Sequence, residues 1–366
     1  MDRLKIGVVG CGAIGQIQYL PLLRDLREHY EIAGISDLSA ELMSDLGHDY
    51  GIPAERQFTD YHDLIASDVT CVTCVVVCNT TSYHAVPAIA AANAGKHVLI
   101  EKPMCTTIAE AEAIAAAAEA SGIVAMVGYM KQHDPGYRYA KGLVDRMADI
   151  RFVQVTQLHP DNALHLRRFH LYKPTDLDAS LRIEMAAEEA RLTAEALGLR
   201  PGHVPADAAK AFFWVLNSLI HDLGNLSGLF GPPERVVSAD FWEAGNCITT
   251  TLEYGAGFRA IASWIDVPDL QTYVESIGVY GSRERVVIGF PTGFSIGLPT
   301  DVAHHGMGED DHPYVKHLAW QENPFRLELL KFHECITRGT EPITPVRAAV
   351  ADIRLAGEIV RAAMNA

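Results

Sequence analysis

The chain has 366 residues, 49% apolar and 21% charged, with a formal net charge of −16, and a length of this order predicts two domains of ordinary size. The acidic balance supplies no clustered Lys and Arg for nucleic acid or anionic lipid, and no apolar stretch reaches the roughly 20 residues of a membrane span, so neither partner is expected. Seven scattered cysteines argue for reduced thiols rather than a disulfide framework. The first ten residues enter a strand-like run with no secretory pattern, so the expectation is a cytoplasmic protein.

Residues 1–130 alternate β-branched runs with helical stretches, the pattern of parallel strands covered by helices. Strands are predicted at 4–9, 31–36, 71–77, 97–100 and 124–127, and helices near 14–27, 39–49, 84–94 and 108–121. Cys71, Cys74 and Cys78 fall in the third strand, where side chains three apart point to opposite faces. They are therefore read as structural, and no metal site is predicted.

The first strand runs into Gly10-Cys11-Gly12-Ala13-Ile14-Gly15. Glycines at these positions permit a tight turn, close approach of backbone to a pyrophosphate, and close packing of helix on strand. The helix that follows presents free N–H groups to negative charge. Asp37, at the end of the second strand, suits hydrogen bonds to both ribose hydroxyls, and it also suits capping of a helix from Ser39. A 2′-phosphate there would face a like charge with no Arg or Lys directly following, so NAD is expected in preference to NADP.

Beyond residue 150 the texture changes. Strands are predicted at Phe152–Leu158, Arg235–Glu243, Cys247–Tyr254, Phe258–Ile265, Tyr273–Tyr280 and Arg285–Ile288, several separated by turn signals at Gly245-Asn246, Gly255-Ala256-Gly257 and Gly281-Ser282. Short glycine turns join antiparallel neighbours, so a mostly antiparallel sheet follows. A helical insertion is expected at about 175–198, opened by a Thr175/Asp178 capping box and stopped at Gly198. Helices at about 325–338 and 346–364 close the chain. The fold class is thus α/β plus α+β: a doubly wound Rossmann domain over 1–127, then an α+β substrate-binding and oligomerisation domain over 128–366 with an insertion near 160–205.

The run Gly95-Lys96-His97-Val98-Leu99-Ile100-Glu101-Lys102-Pro103 resembles the hallmark of the Gfo/Idh/MocA oxidoreductases, and Gly128-Tyr129-Met130-Lys131-Gln132-His133-Asp134-Pro135 is similar to their domain crossover. The resemblance spans nearly the whole chain. It implies an NAD(P)-dependent dehydrogenase acting on CH–OH groups of a sugar, inositol or related polyol, assembled as a homo-oligomer, dimer or tetramer. Lys102, at the carboxyl end of a parallel strand, is suited to stabilise a developing alkoxide.

In related dehydrogenases the partner of this Lys lies in an Asp-x-x-x-His motif, matched here by Asn217 to His221. His221 is the expected general base, since an imidazole titrates near neutrality. Asn217 replaces the family's Asp and is assigned to orienting substrate or His221. Positions i and i+4 share a helix face, so Asn217, His221 and Asn225 with Gly224 and Gly228 are read as a small, polar stripe facing a ligand.

The resemblance also implies that Asn79, Thr80, His84 and Glu101 line the cofactor beside Gly10, Gly12, Ala13, Ile14, Gly15 and Asp37, and that Tyr129 and His159 join the substrate site. Donors in the insertion, among them His165, Arg167, Arg168, His170 and Tyr172, suit a polyhydroxylated or acidic substrate; a subunit-contact arm is the other reading. Two rival functions follow from the same residues, an NAD-dependent glycosidase working by transient oxidation and elimination, and a non-catalytic NAD-binding regulator. The dehydrogenase mechanism requires Lys102 and His221 to converge beside the nicotinamide.

Overall fold

The computed structural model describes residues 3–308 and 310–366. The first sheet contains β1 (Leu4–Val9), β2 (Tyr30–Ser36), β3 (Gln57–Phe58), β4 (Cys74–Val77), β5 (His97–Glu101) and β6 (Ala125–Gly128). Its order is β3-β2-β1-β4-β5-β6, and every pair is parallel. Helices cover it: α1 (Leu20–Asp25), α2 (Ala40–Tyr50), α3 (Tyr61–Ala66), α4 (Ala85–Asn93) and α5 (Ile108–Ser121). Because both faces are covered, the central strands are continuous apolar runs rather than alternating ones; Val75, Val76, Val77, Leu99 and Ile100 are all fully buried.

The remaining helices are α6 (Pro135–Val144), α7 (Ala163–Leu166), α8 (Ala179–Leu197), α9 (Ala206–Trp214), α10 (Ile220–Phe230), α11 (Pro324–Arg338) and α12 (Val346–Met364). The second sheet contains β7 (Phe152–His159), β8 (Arg235–Trp242), β9 (Cys247–Glu253), β10 (Arg259–Asp266), β11 (Val274–Tyr280), β12 (Arg285–Gly289), β13 (Thr300–Met307) and β14 (Pro313–Trp320), in the order β14-β13-β12-β11-β7-β10-β9-β8. It is antiparallel apart from the β10–β7 pair, which runs parallel from Arg259 opposite Phe152. The doubly wound parallel sheet and the mostly antiparallel second sheet are both as expected.

The chain forms two compact units. The first comprises the chain through Gly128 with Phe169–Gly202 and Glu328–Ile353; the second comprises Tyr129–Arg168, His203–Leu327 and Arg354–Ala366.

Several local expectations need correction. The first helix opens with a wide turn over Gly15–Tyr19, in which Leu20 N bonds Gly15 O, rather than as a regular α-helix. Cys71 precedes β4: it is exposed, has a φ of 46° and turns its thiol to Asp68 O at 2.8 Å, whereas Cys74 and Cys78 are buried. The cap of α8 is Asp178, which accepts from Ser180 N at 2.9 Å. Thr175 forms no capping box, because its hydroxyl is bonded to Glu41; Gly198 does end the helix with a φ of 69°. Strands β3, β13 and β14 and helices α3, α6, α7 and α9 lie outside the expected elements. β14 is exposed at six of its eight positions, so it lacks the alternation that marks a half-buried strand.

Candidate functional site

Four predicted segments stand at the carboxyl ends of neighbouring strands of the first sheet: the glycine loop after β1, Asp37 after β2, Asn79 after β4 and Lys102 after β5. The order reverses between β1 and β4, the switch point where open α/β sheets place ligands. The loop is tied down on all sides. Gly10 N bonds Ser36 O at 2.8 Å, Cys11 N donates to Asp37 Oδ2 at 2.8 Å, and Gln16 Nε2 donates to Cys11 O at 2.8 Å.

Gly10 has a φ of +88°, and a Cβ there would lie 2.3 Å from Asn79 N, so no other residue fits. Gly12 is the converse: a Cβ would meet nothing within 4 Å, and the backbone is open for close approach by a ligand. Asp37 accepts one backbone N–H on each oxygen, Cys11 N and Ser39 N at 3.2 Å, which leaves lone pairs for ribose hydroxyls. Asn79 Oδ1 is buried without a partner, an acceptor facing no donor beside the loop. A Gly cradle, a free acceptor and a carboxylate at the ribose position fit a dinucleotide. The Cys11 thiol stays protonated, since burial and then Asp37 push it far above the usual range.

His84 is buried, with Nδ1 2.7 Å from Pro103 O and Nε2 2.9 Å from Asn79 O. Its ring therefore clamps the 79–84 loop to the segment that carries Lys102. Burial lowers its pKa. Lys102 is half-buried and its backbone N donates to Glu101 Oε2 at 2.8 Å. Burial raises the Glu101 carboxyl, opposed by the Lys102 ammonium and by the bond from Tyr19.

Tyr19 Oη lies 3.0 Å from Glu101 Oε1 and 3.3 Å from Glu328 Oε1. One hydroxyl proton serves one acceptor at a time, and Glu328 Oε2 has no partner. Burial and then Glu101 hold the Glu328 carboxyl well above the ordinary range, so it is the member that keeps a proton. Nothing in the local sequence marks this triad.

The other predicted residues, Tyr129, His159, Asn217 and His221, belong to the second unit. Asn217 lies in a wide turn, Val215–Leu219, where Ile220 N reaches Val215 O; its Nδ2 donates to Phe213 O at 3.0 Å. Asn217 and His221 are half-buried. The rest of the supposed ligand-facing stripe is packed: Asn225 is 1% exposed, a Cβ at Gly224 would stand 3.0 Å from the buried Tyr129 ring, and one at Gly228 would stand 2.5 Å from Tyr137 Oη. The small residues seat these two tyrosines instead of a ligand.

His159 sits among aromatic rings, with centroids 5.4 Å from Tyr273, 5.6 Å from Trp264 and 6.3 Å from Trp214. Its Nδ1 lies 2.8 Å from Pro160 O and must carry the proton there, and burial lowers its pKa. At neutral pH Nε2 is then an acceptor.

Beneath α10 lies a charged cluster that the motifs do not disclose. Lys131 bonds Glu275, the two side chains being 5% and 0% exposed, and the Tyr273 hydroxyl donates to the other Glu275 oxygen. Asp222, next to His221, is fully buried and neither of its oxygens has a donor. Burial and then Glu275 raise its carboxyl well above the usual range, against the pull of Lys131. A protonated Asp222 facing the Glu275 carboxylate accounts for both observations. The available signal was Glu275 itself, on the inward face of β11 with Ile277 and Val279.

Among the described residues no group of three His, Cys, Asp or Glu is placed to hold a metal ion, and no helix is long and apolar enough to cross a membrane.

Comparison with known proteins gives a concordant result. Residues 4–129 match the GFO_IDH_MocA model, described as an oxidoreductase family with an NAD-binding Rossmann fold. The chain is 35% identical over 136 residues to 4-carboxy-2-hydroxymuconate-6-semialdehyde dehydrogenase of Sphingobium sp., covering 37% of this chain and 41% of that protein. It is 33% identical over 143 residues to inositol 2-dehydrogenase of Salmonella typhimurium, 39% of this chain and 41% of the relative. The matched region thus spans about two fifths of these relatives' length.

Solved structures share the fold over nearly the full length. Aldose-aldose oxidoreductase from Caulobacter crescentus, complexed with glycerol, has a TM-score of 0.73 at 22% identity, covering 100% of this chain and 98% of that one. An oxidoreductase domain protein from Kribbella flavida has a TM-score of 0.76 at 18% identity over 100% and 98%. Residues 4–129 are thus similar to the NAD-binding Rossmann domain of the Gfo/Idh/MocA oxidoreductases, and over the rest of the chain the solved structures share the fold.

Proposed function

We propose that the protein is an NAD-dependent dehydrogenase that oxidises a secondary alcohol of a sugar, inositol or related polyol. The observation that carries this reading is the alignment of the glycine loop, Asp37 and Lys102 at the carboxyl ends of β1, β2 and β5 in one parallel sheet. In this reading the N–H groups from Gly12 to Gly15 take the pyrophosphate, Asp37 takes the adenosine ribose, and Asn79, Thr80, His84 and Glu101 shape the loops alongside. The bound nicotinamide supplies the two-electron acceptor.

The chain's own side chains handle charge and protons. The Lys102 ammonium stabilises the alcohol oxygen as it loses its proton. His221 receives that proton, Asn217 orients the substrate, and His159 offers Nε2 to a further hydroxyl. Tyr129, packed on Gly224, supports the helix that carries His221. The name of the inositol 2-dehydrogenase relative supports a polyol. Asp37, with no Arg or Lys following it, supports NAD over NADP. A homo-oligomer is inferred from family likeness, and light scattering on the purified protein tests it.

The reading is tested by mixing purified protein and NAD with a panel of inositols, aldoses and alditols and following NADH absorbance. Turnover on at least one polyol is expected; NAD binding with no turnover across the panel, or turnover confined to aldehydes, refutes it.

A further inference from the structure

The segment Phe169–Gly202 joins the first unit, and its contacts follow the cofactor-binding edge of that unit. The Tyr172 backbone holds the Gln16 side chain from both sides, N to Oε1 at 2.9 Å and O from Nε2 at 3.1 Å, while Gln16 also binds the glycine loop at Cys11 O. Tyr172 Oη donates to Asp49 at 2.8 Å, and Thr175 bonds Glu41 through its N and its hydroxyl. The next residue but one from Pro174, Asp176, reaches the amino end of α2. Its Oδ2 accepts from Glu41 N at 3.1 Å, and its Oδ1 accepts from the hydroxyl of the fully buried Ser39.

Ser39 Oγ in turn accepts from Leu42 N at 3.0 Å, and Ser39 N donates to Asp37. The donors that open α2 are thereby shared among Asp37, Ser39 and Asp176. These bonds hold the Asp176 carboxyl below the ordinary carboxylate range, so it is anionic at neutral pH.

This is the place where NAD and NADP differ. A ribose bonded through its hydroxyls to Asp37 directs its 2′-oxygen at the residues that follow β2, and a 2′-phosphate there needs helix N–H groups or a nearby Arg. Here the helix donors are taken, residues 38–45 contain no Lys or Arg, and Asp37, Glu41 and Asp45 share the region. We propose that Asp176 is a cofactor-specificity residue, a built-in carboxylate that occupies the anion seat at the start of α2 and turns away the 2′-phosphate of NADP. The proposal rests on the dinucleotide-binding reading above.

The test measures Kd for NAD and for NADP separately, by calorimetry at low ionic strength, on the full-length protein and its Asp176→Asn and Asp176→Ser variants. The unmodified protein is expected to prefer NAD. Removal of one like charge within a few ångströms of a phosphate is expected to tighten NADP binding by about tenfold, with NAD affinity within about twofold of its starting value and a smaller gain for Asn than for Ser. Unchanged NADP affinity in both variants overturns the proposal. So does a parallel weakening of both cofactors, which marks Asp176 as a mere strut, and so does an unmodified protein that prefers NADP. An unmodified protein that binds neither cofactor overturns the dinucleotide reading itself, and the proposal with it.

Discussion

Replacing Lys131 by Met removes the one cation from a cluster in which Glu275 is 0% exposed and Lys131 5% exposed. Two carboxyl groups, Glu275 and Asp222, are left in the interior. Breaking a buried pair by deleting one member costs about 3–5 kcal/mol, because the survivor is an uncompensated charge; in a unit of this size that lowers Tm by roughly 6–20 °C. The loss also depends on pH. A carboxyl whose folded pKa is raised supports the fold fully below its unfolded pKa, about 3.9 for an aspartate, and that support disappears as pH rises through the folded value. Asp222 already lies on the raised side, and removing Lys131 removes the only influence that lowers it.

The destabilisation is therefore expected to be larger at pH 8 than at pH 5.5. Adding Glu275→Gln to Lys131→Met is expected to restore most of the loss. Urea denaturation of the single and double variants at both pH values provides the assay. A loss under about 1 kcal/mol, a loss equal at the two pH values, or a double variant no more stable than Lys131→Met would refute the assignment of a buried, charge-balanced cluster.

Glu328→Gln is expected to stabilise the protein by about 1 kcal/mol at pH 7–8: the raised carboxyl loses its stabilising proton as pH rises, the amide does not, and Tm against pH should flatten in the variant. Gly10→Ala forces a Cβ to within 2.3 Å of Asn79 N; NAD affinity, read by calorimetry, should fall by at least about a hundredfold, since a 1 Å misplacement is worth that much. Lys102→Ala and His221→Ala should each lower kcat/KM by about 10²–10⁴ with NAD affinity within a few fold, and the double variant should lose far less than the product if the two act on one proton-transfer step. Fully multiplicative losses would separate their roles.

The parts of the site legible in the sequence are those the chain builds locally. A strand followed by a glycine-rich turn and a helix defines the loop at Gly10–Gly15, and the next strand ends carry Asp37 and Lys102; each is read from residues within a few positions of one another. The short β3 and the exposed β14 lack length or periodicity, whereas the ten-residue, amphipathic α6 has both and was not among the expected helices. Asp134 is nonetheless a cap, accepting from Gly136 N at 2.7 Å, with Pro at the first helical position.

By itself the sequence determined the doubly wound parallel sheet, the turn into the antiparallel sheet and the strand-end positions of the cofactor motif, because hydrophobic period and turn chemistry act over short stretches of chain. Only the tertiary structure decided which distant groups meet: Tyr19 between Glu101 and Glu328, Lys131 against Glu275 with Asp222 alongside, and Asp176 at the head of α2. These polar contacts join residues that are remote in the chain, and their energies depend on burial and on neighbours that no local pattern encodes.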